Sequence, residues 1–334
     1  MVEVEVMDYE ARVASPDLLK VRDLIRQPQQ PWFSEGENTL LNRSVSRDEF
    51  TGIGTVYLIV ARLDGEPVGT AWYQTGDERG EVGACAFVFT HPSYRGLGVA
   101  NAVMSRLVSH FGERGGRVVY LGTSEPRARE VYQRVGFRVY NGVVMRHMGK
   151  EAEDRSFDEE FFSNVGDARM RDATWGDLAR LTALYSCPHP WFIKDYGEKL
   201  YSHPTLPQKR ALSVPISLFL RAEEGSNRLI VMENPRGRLV GAMSIYRSDA
   251  LRGGLSLDFL VVPSYLQQMR VLLEEGSRIA RGLGGGPIRA IVSDLDGGKE
   301  EVLSALGFQP AERVTPEVLP TGTAIGMRSF QVTS

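Results

Sequence analysis

Val88-Phe-Thr-His-Pro-Ser-Tyr-Arg95-Gly96-Leu97-Gly98-Val99-Ala100-Asn-Ala-Val-Met104 runs from an apolar strand through a basic, glycine-rich turn into a helix. That order builds a cradle for a polyanion. The first amides of a helix have no intrahelical acceptor and point outward together with the positive end of the helix dipole. Gly96 and Gly98 let a ligand approach the backbone closely, Arg95 adds a permanent positive charge, and small Ala100 keeps the helix start uncrowded. Each amide or dipole contribution is about 0.3 to 1 kcal/mol, so several must converge to hold an anion. The dinucleotide pattern G-x-G-x-x-G is not met, because Asn101 stands where the third glycine belongs, and the P-loop pattern fails for lack of Gly-Lys-Ser/Thr.

The surrounding composition is that of a globular chain. Its 334 residues are 42% apolar and 24% charged, which is enough for two domains, and a net charge of −3 argues against general nucleic-acid affinity. No apolar window has the length of a membrane span, and Met1-Val-Glu-Val-Glu-Val lacks both the basic start and the apolar core of a signal peptide, so a cytoplasmic protein without membrane association is expected. Cys85 and Cys187 give no disulfide framework, and the five histidines are scattered, so no metal site is expected.

Landmarks of the first half return in the second. Pro31-Trp32-Phe33 recurs as Pro190-Trp191-Phe192, 159 residues later; Val68-Gly69 recurs as Val240-Gly241 at 172, and both Pro92-Ser93-Tyr94 and Gly136-Phe137 recur at 171, as Pro263-Ser264-Tyr265 and Gly307-Phe308. A tandem duplication with an insertion of about a dozen residues around 206–217 is the economical reading, since loops absorb length change at little cost. Within the first copy the patterns predict a strand over 2–7, a helix over 16–25, a hairpin of 56–62 with 67–74 about Asp64-Gly65, and a strand over 82–90. A helix over 99–111 ends at Gly115-Gly116, and a strand over 118–121, a helix over 126–135 starting after Ser124 and a strand over 138–148 follow.

This order, with R-x-x-G-x-A after the strand that closes on His91-Pro92, resembles the GNAT N-acetyltransferase superfamily through nearly all of residues 1–148. The resemblance implies an α/β fold with a mixed sheet, written twice. It implies a catalytic domain over 1–150, an acidic linker over 151–164 and a degenerate copy over 165–334. Acetyl-CoA is the implied co-substrate, its phosphates held by Arg95, Gly96, Leu97, Gly98, Val99 and Ala100, and its pantetheine arm running beside Phe89 and Thr90 on the strand segment 87–90. At an offset of 171, Leu266, Gln267, Met269 and Val271 replace Arg95, Gly96, Gly98 and Ala100, so one cofactor site per chain is expected. The run Gly282-Leu-Gly-Gly-Gly286 reads as a helix stop.

Ala128-Arg-Glu-Val-Tyr132-Gln-Arg-Val-Gly136-Phe137 resembles the family's second signature, in which the tyrosine protonates the departing thiolate. Tyr132 is the candidate acid, with Leu303 at its place in the second copy; the alternative is a half-buried packing tyrosine. The family's asparagine three residues before the alanine is Glu125 here. Glu81 is the nearest carboxylate in sequence to the central strand and a candidate base, but the base stays unassigned, since a surface role fits it as well. Glu35, Glu37 and Asn38 lie in the loop that forms the family's acceptor wall and could bind a cationic amine or be merely solvated. Phe87, Phe89 and Cys85 should share one strand face, with Cys85 a small core residue rather than an acyl carrier. The expected activity is acetyl transfer to a primary amine of a small molecule by direct attack in a ternary complex, in a monomer whose two halves form a pseudo-dimer. The alternatives are a non-catalytic CoA-responsive binding protein, or acyl transfer to another nucleophile.

Overall fold

The computed structural model describes residues 2–8, 16–25, 39–40, 54–76, 80–149, 156–202, 208–247, 254–284, 286–319 and 322–333. The chain divides into two compact units. The first comprises 1–157 together with 174–183 and 209–216, and the second comprises 158–173, 184–208 and 217–334.

The first unit runs β1 (Glu3–Asp8), α1 (Pro16–Ile25), β2 (Thr55–Leu63), β3 (Glu66–Thr75), β4 (Val82–Thr90), α2 (Val99–Glu113), β5 (Val118–Gly122), α3 (Pro126–Arg134), β6 (Arg138–Asn141) and β7 (Val144–Met148). Its sheet has the order β1-β2-β3-β4-β5-β7-β6, antiparallel except for the central pair β4–β5. The β2–β3 turn holds Asp64 and Gly65 at φ of 52° and 81°, the left-handed pair that a two-residue hairpin requires. Val103, Leu107 and Phe111 recur along α2 at helical spacing and are buried against Tyr57, Ile59, Ala71 and Tyr73 of β2 and β3. Each such side chain, fully buried, contributes about 1.5 to 3 kcal/mol. The start of α2 comes so close to β3 that a methyl on Gly69 would lie 2.3 Å from Val99 Cγ1. Glycine there sets the depth at which the Gly96–Ala100 turn sits.

Residues 138–148 are a hairpin, not the single strand expected from their apolar run. Asn141 ends β6, Gly142 at φ 62° turns the chain, and β7 inserts between β6 and β5. The helix expected after Ser124 is capped one residue later, by Glu125, whose carboxylate accepts from Arg127 N at 3.4 Å.

The second unit begins with α4 (Phe157–Phe161), at which the division between units falls, so the described end of the acidic segment is a helical turn that buries Phe157 and Phe161. It continues through β8 (Arg169–Asp172), α5 (Leu178–Ser186), β9 (Ile193–Asp195), β10 (Leu200–Tyr201), α6 (Ser213–Glu223), β11 (Asn227–Glu233), β12 (Leu239–Arg247) and β13 (Leu255–Val261), then α7 (Met269–Leu283), β14 (Ile288–Ser293), α8 (Gly297–Ala305), β15 (Gln309–Val318) and β16 (Ala324–Val332). The division between units also falls inside α5 and α6. The large sheet of this unit has the order β15-β16-β14-β13-β12-β11-β8, the order of the first sheet read from its other edge, with its one parallel pair, β13–β14, in the same place. The duplication read from the landmarks is therefore a duplication of α/β topology. The helix stop expected at Gly282–Gly286 is there, since α7 ends at Leu283 with Gly284 at φ 135°.

Candidate active site

The site of the first unit follows from how β4 and β5 part. Their ladder pairs Val82, Gly83 and Ala84 with Val118, Val119 and Tyr120, and ends there. Beyond it the strands separate around a cleft of about 690 Å³, lined on one side by Cys85–Thr90 and on the other by Leu121–Glu125, Ala128, Tyr132 and Val143.

A β-bulge shapes the β4 wall. Thr70 faces Phe89 and Trp72 faces Ala86, so Phe87 and Val88 together oppose Ala71. Phe87 sits at φ 51°, in the left-handed region that costs a non-glycine residue about 1 to 2 kcal/mol, and Thr70 Oγ1 holds the Phe87 carbonyl at 2.9 Å. Such strain persists only where packing overrides it, and it clusters at functional sites. The bulge also corrects the expected strand face. Cys85 packs in the core with Ala71 and Tyr73, whereas Phe87 turns to Trp72, on the opposite face, at 5.6 Å between ring centroids.

At the far end of β4 a short 3-10 turn (Pro92–Tyr94) leads into the glycine turn. Gly96 and Gly98 adopt φ of 82° and 81°, and a Cβ at either would meet no atom within 4 Å. Their lack of a side chain answers to backbone conformation and leaves open space before the first amides of α2, where Gly98 is the N-cap. Arg95 Nε reaches Thr90 O at 3.4 Å, Leu97 is exposed, Val99 is buried and Ala100 is half-buried. This geometry fits a phosphate-bearing ligand.

Tyr132 projects from α3 into the cleft wall. It is 8% exposed, its ring lies 6.1 Å from that of Phe137, and its hydroxyl makes no hydrogen bond among the described residues. Burial, and secondarily the neighbouring Cys85, push its pKa above the usual phenol value, while burial pushes the Cys85 thiol up. At pH 7 both are neutral.

The acetyltransferase (GNAT) family profile matches residues 19–137. Over those residues the chain is similar to the GNAT family. An uncharacterized N-acetyltransferase of Mycobacterium bovis is 30% identical over 99 residues, covering 29% of this chain and 62% of the relative. One of Methanocaldococcus jannaschii is 31% identical over 85 residues, covering 23% and 37%. The chain thus spans less than two thirds of the length of these relatives. Among solved structures, Salmonella typhimurium yncA with its cofactor acetyl-CoA is 18% identical, covering 50% of this chain and 94% of that one at a TM-score of 0.40. The ribosomal-protein-alanine N-acetyltransferase of Brucella melitensis is 20% identical, covering 50% and 99% at 0.40.

Of the residues singled out from the sequence of the first unit, Phe89, Thr90 and Tyr132 line the cleft, and Arg95–Ala100 form the turn at its open end. Glu81 does not join them. It precedes β4 at the closed end of the β4–β5 pair and faces Arg117 at 3.6 Å. Glu35, Glu37, Asn38 and the Pro31-Trp32-Phe33 landmark lie outside the described residues. Two contributors escaped the sequence reading. One is the bulge at Phe87-Val88. The other is the wall Lys209–Ser213, which clusters with the first unit and whose Ala211 packs so close to Gly122 that a Cβ there would lie 2.7 Å from it.

The second unit treats the equivalent place differently. Its β13–β14 ladder also ends after three pairs. Its own chain occupies the edge beyond: Trp191 Nε1 donates to Val261 O at 2.9 Å, Gly197 N to Asp258 Oδ2 at 2.8 Å, and Phe192 N and Ile193 N to the carboxylate of Asp296. Lys299 Nζ closes the set by donating to Ile193 O at 2.6 Å. Here Trp191 and Phe192 are buried anchors. The segment Pro263–Gln268 runs straight into α7 with Gln268 as N-cap and no glycine. Helix starts therefore set Met269 opposite Val99, both buried, and Gln268 opposite Gly98, which corrects the constant offset of 171 by one residue.

Among the described residues no group of three or more His, Cys, Asp or Glu could hold a metal, and no helix is long and apolar enough to cross a membrane.

Proposed function

We propose that the first unit is an acetyl-CoA-dependent N-acetyltransferase acting on a primary amine of a small molecule in a ternary complex. The second unit is a degenerate copy that binds no acetyl-CoA, and the chain works as a monomer in the cytoplasm. The observation that carries this reading is the cleft between diverging β4 and β5, with a glycine turn suited to an anion at its mouth and, in its wall, a phenol whose hydroxyl has no hydrogen bond among the described residues. The plugged edge of β13, with no glycine turn, supports one site per chain.

Acetyl-CoA supplies an activated acetyl thioester. In this reading Arg95 and the backbone amides of Gly96–Ala100 hold its phosphates, and the β4 backbone from Phe87 to Thr90, freed from the β5 ladder, hydrogen-bonds the pantetheine arm and polarises the thioester carbonyl. As the amine nitrogen bonds to the carbonyl carbon, the C–S bond breaks and its electron pair leaves with sulfur; the amine gives up one proton and the thiolate gains one. In this reading Tyr132, in the cleft wall, is the donor that serves that sulfur. With a thiol near pKa 8.5 and a phenol raised above 10, complete proton transfer from Tyr132 runs uphill by more than about 2 kcal/mol. Tyr132 therefore acts chiefly as a hydrogen-bond donor to the leaving thiolate, and the proton comes from solvent. Burial keeps the Cys85 thiol protonated, which supports direct transfer over an acyl-cysteine route.

An alkylamine near pKa 10.4 costs about 4 kcal/mol to deprotonate at neutral pH. Glu125 is the one carboxylate among the described lining residues, and it serves as the α3 cap. In this reading the amine is taken up already deprotonated. Assayed with acetyl-CoA and a panel of primary amines, kcat/KM should rise about tenfold per pH unit from 6 to 9 as the free amine grows. A plateau near pH 6 to 7 would reveal a dedicated base, and no acetylated product from any amine would favour a CoA-responsive binding protein.

A further inference from the structure

The bulge in β4 is held by a side chain of β3 that does not itself line the cleft. Thr70 is fully buried, and its Oγ1 donates to Phe87 O at 2.9 Å. Phe87, at φ 51°, keeps a conformation that an L-residue adopts only where its surroundings hold it. The Phe87–Val88 peptide is trans, so its carbonyl and its amide N–H point in opposite directions. With the carbonyl held by β3, the Val88 N–H is turned away from β3, to the side where β5 has parted and Val88 lines the cleft. The second unit supplies an internal comparison. Gly69 pairs with Thr90 and Gly241 with Val261, which sets Ala242 at the place of Thr70. There the β12–β13 ladder runs from Gly241–Val261 to Arg247–Leu255 without a register shift. That ladder has neither the bulge nor the hydroxyl, in the copy whose helix start also has no glycine turn.

We infer that Thr70 is a positioning residue for the acyl transfer, its hydroxyl latching the bulge so that the Val88 amide meets the thioester carbonyl oxygen. This inference rests on the acetyltransferase reading above. Negative charge grows on that oxygen as the amine adds to the carbonyl carbon, so a correctly aimed amide acts more strongly on the transition state than on bound acetyl-CoA. Without the hydroxyl the strained peptide relaxes and the amide swings off target. A misplacement of about 1 Å costs up to about 100-fold in rate.

The test compares Thr70→Val, which keeps the β-branched shape and loses the hydroxyl, with Thr70→Ser, which keeps the hydroxyl. Both are assayed in the full-length protein with acetyl-CoA and whichever of phenethylamine, spermidine and phenylalanine wild type acetylates fastest. In Thr70→Val kcat should fall about 10- to 100-fold, with the acetyl-CoA Kd and the amine KM within about threefold of wild type, and Thr70→Ser should recover kcat to within about threefold. A merely structural role would lower Tm and leave kcat where it is. Should Thr70→Val not fold, Thr70→Ala takes its place, alanine being the residue at that position of the second unit. An independent readout is the infrared band of acetyl-CoA labelled at its thioester carbonyl. Bound to wild type or Thr70→Ser the band should move to lower frequency, and in Thr70→Val it should return toward its position in free acetyl-CoA. An unchanged kcat in Thr70→Val, a serine variant as slow as the valine one, or a band that wild type does not move would overturn the latch. Should wild type bind acetyl-CoA yet acetylate none of the three amines, the transferase reading fails separately and the band alone decides; no acetyl-CoA binding would remove both.

Discussion

Replacing Tyr132 by phenylalanine is expected to lower kcat about 10- to 100-fold while the acetyl-CoA Kd stays within about twofold. The magnitude follows from the role. A hydrogen bond to a charged partner is worth about 1.5 to 3 kcal/mol, and each 1.4 kcal/mol is a factor of ten. A phenol that transferred its proton fully in the rate-limiting step would contribute up to about 10⁴-fold. Burial holds the Tyr132 pKa above its ordinary value, which favours the smaller effect and predicts that Tyr132 adds no alkaline limb to the rate below pH 10. Among the described residues the hydroxyl makes no hydrogen bond, so the phenylalanine variant breaks none of those, and its stability should be near that of wild type. Steady-state kinetics beside a thermal melt check both statements. An unchanged kcat would return Tyr132 to a packing role.

Gly98→Met should weaken acetyl-CoA binding about 30- to 1000-fold. A non-glycine residue at φ 81° costs about 1 to 2 kcal/mol, so the turn relaxes and its amides no longer converge, while the side chain enters the open space before α2. Loss of two or three amide contacts at about 0.3 to 1 kcal/mol each brings the total to about 2 to 4 kcal/mol. The fold should survive, because a Cβ at Gly98 meets no neighbour. Fluorescence titration with acetyl-CoA, with circular dichroism as the control, distinguishes lost binding from lost structure. Retained affinity would remove the glycine turn from the cofactor site.

Much of the fold was legible in the sequence because local chemistry and tertiary context agreed. Pro16 and the apolar spacing after it set α1, Asp64-Gly65 set the first hairpin, and Val103, Leu107 and Phe111 marked the buried face of α2 before any sheet was known. Where they disagreed, the reading slipped. Asn141-Gly142 is a turn signal embedded in an apolar run, and the run outweighed it. The bulge at Phe87-Val88 has no signature in composition, since a phenylalanine in left-handed conformation is imposed by packing and by Thr70, and it alone moved Phe87 to the other face. A one-residue difference between the two glycine-turn regions was invisible to landmarks on either side of it. The Lys209–Ser213 wall lies almost ninety residues beyond β5, and no local pattern links it to Gly122. Glu81 shows the converse, for nearness along the chain placed it by the site and the strand carried it to the opposite end.

The central claim is a single acetyl-CoA site, built by the first of two copies of one topology. Isothermal titration of the full chain with acetyl-CoA measures it directly. One site per chain, lost in Arg95→Leu, is the predicted result; two sites would show that the second unit binds despite the Trp191–Gly197 segment in its cleft, and no binding would contradict the cradle itself.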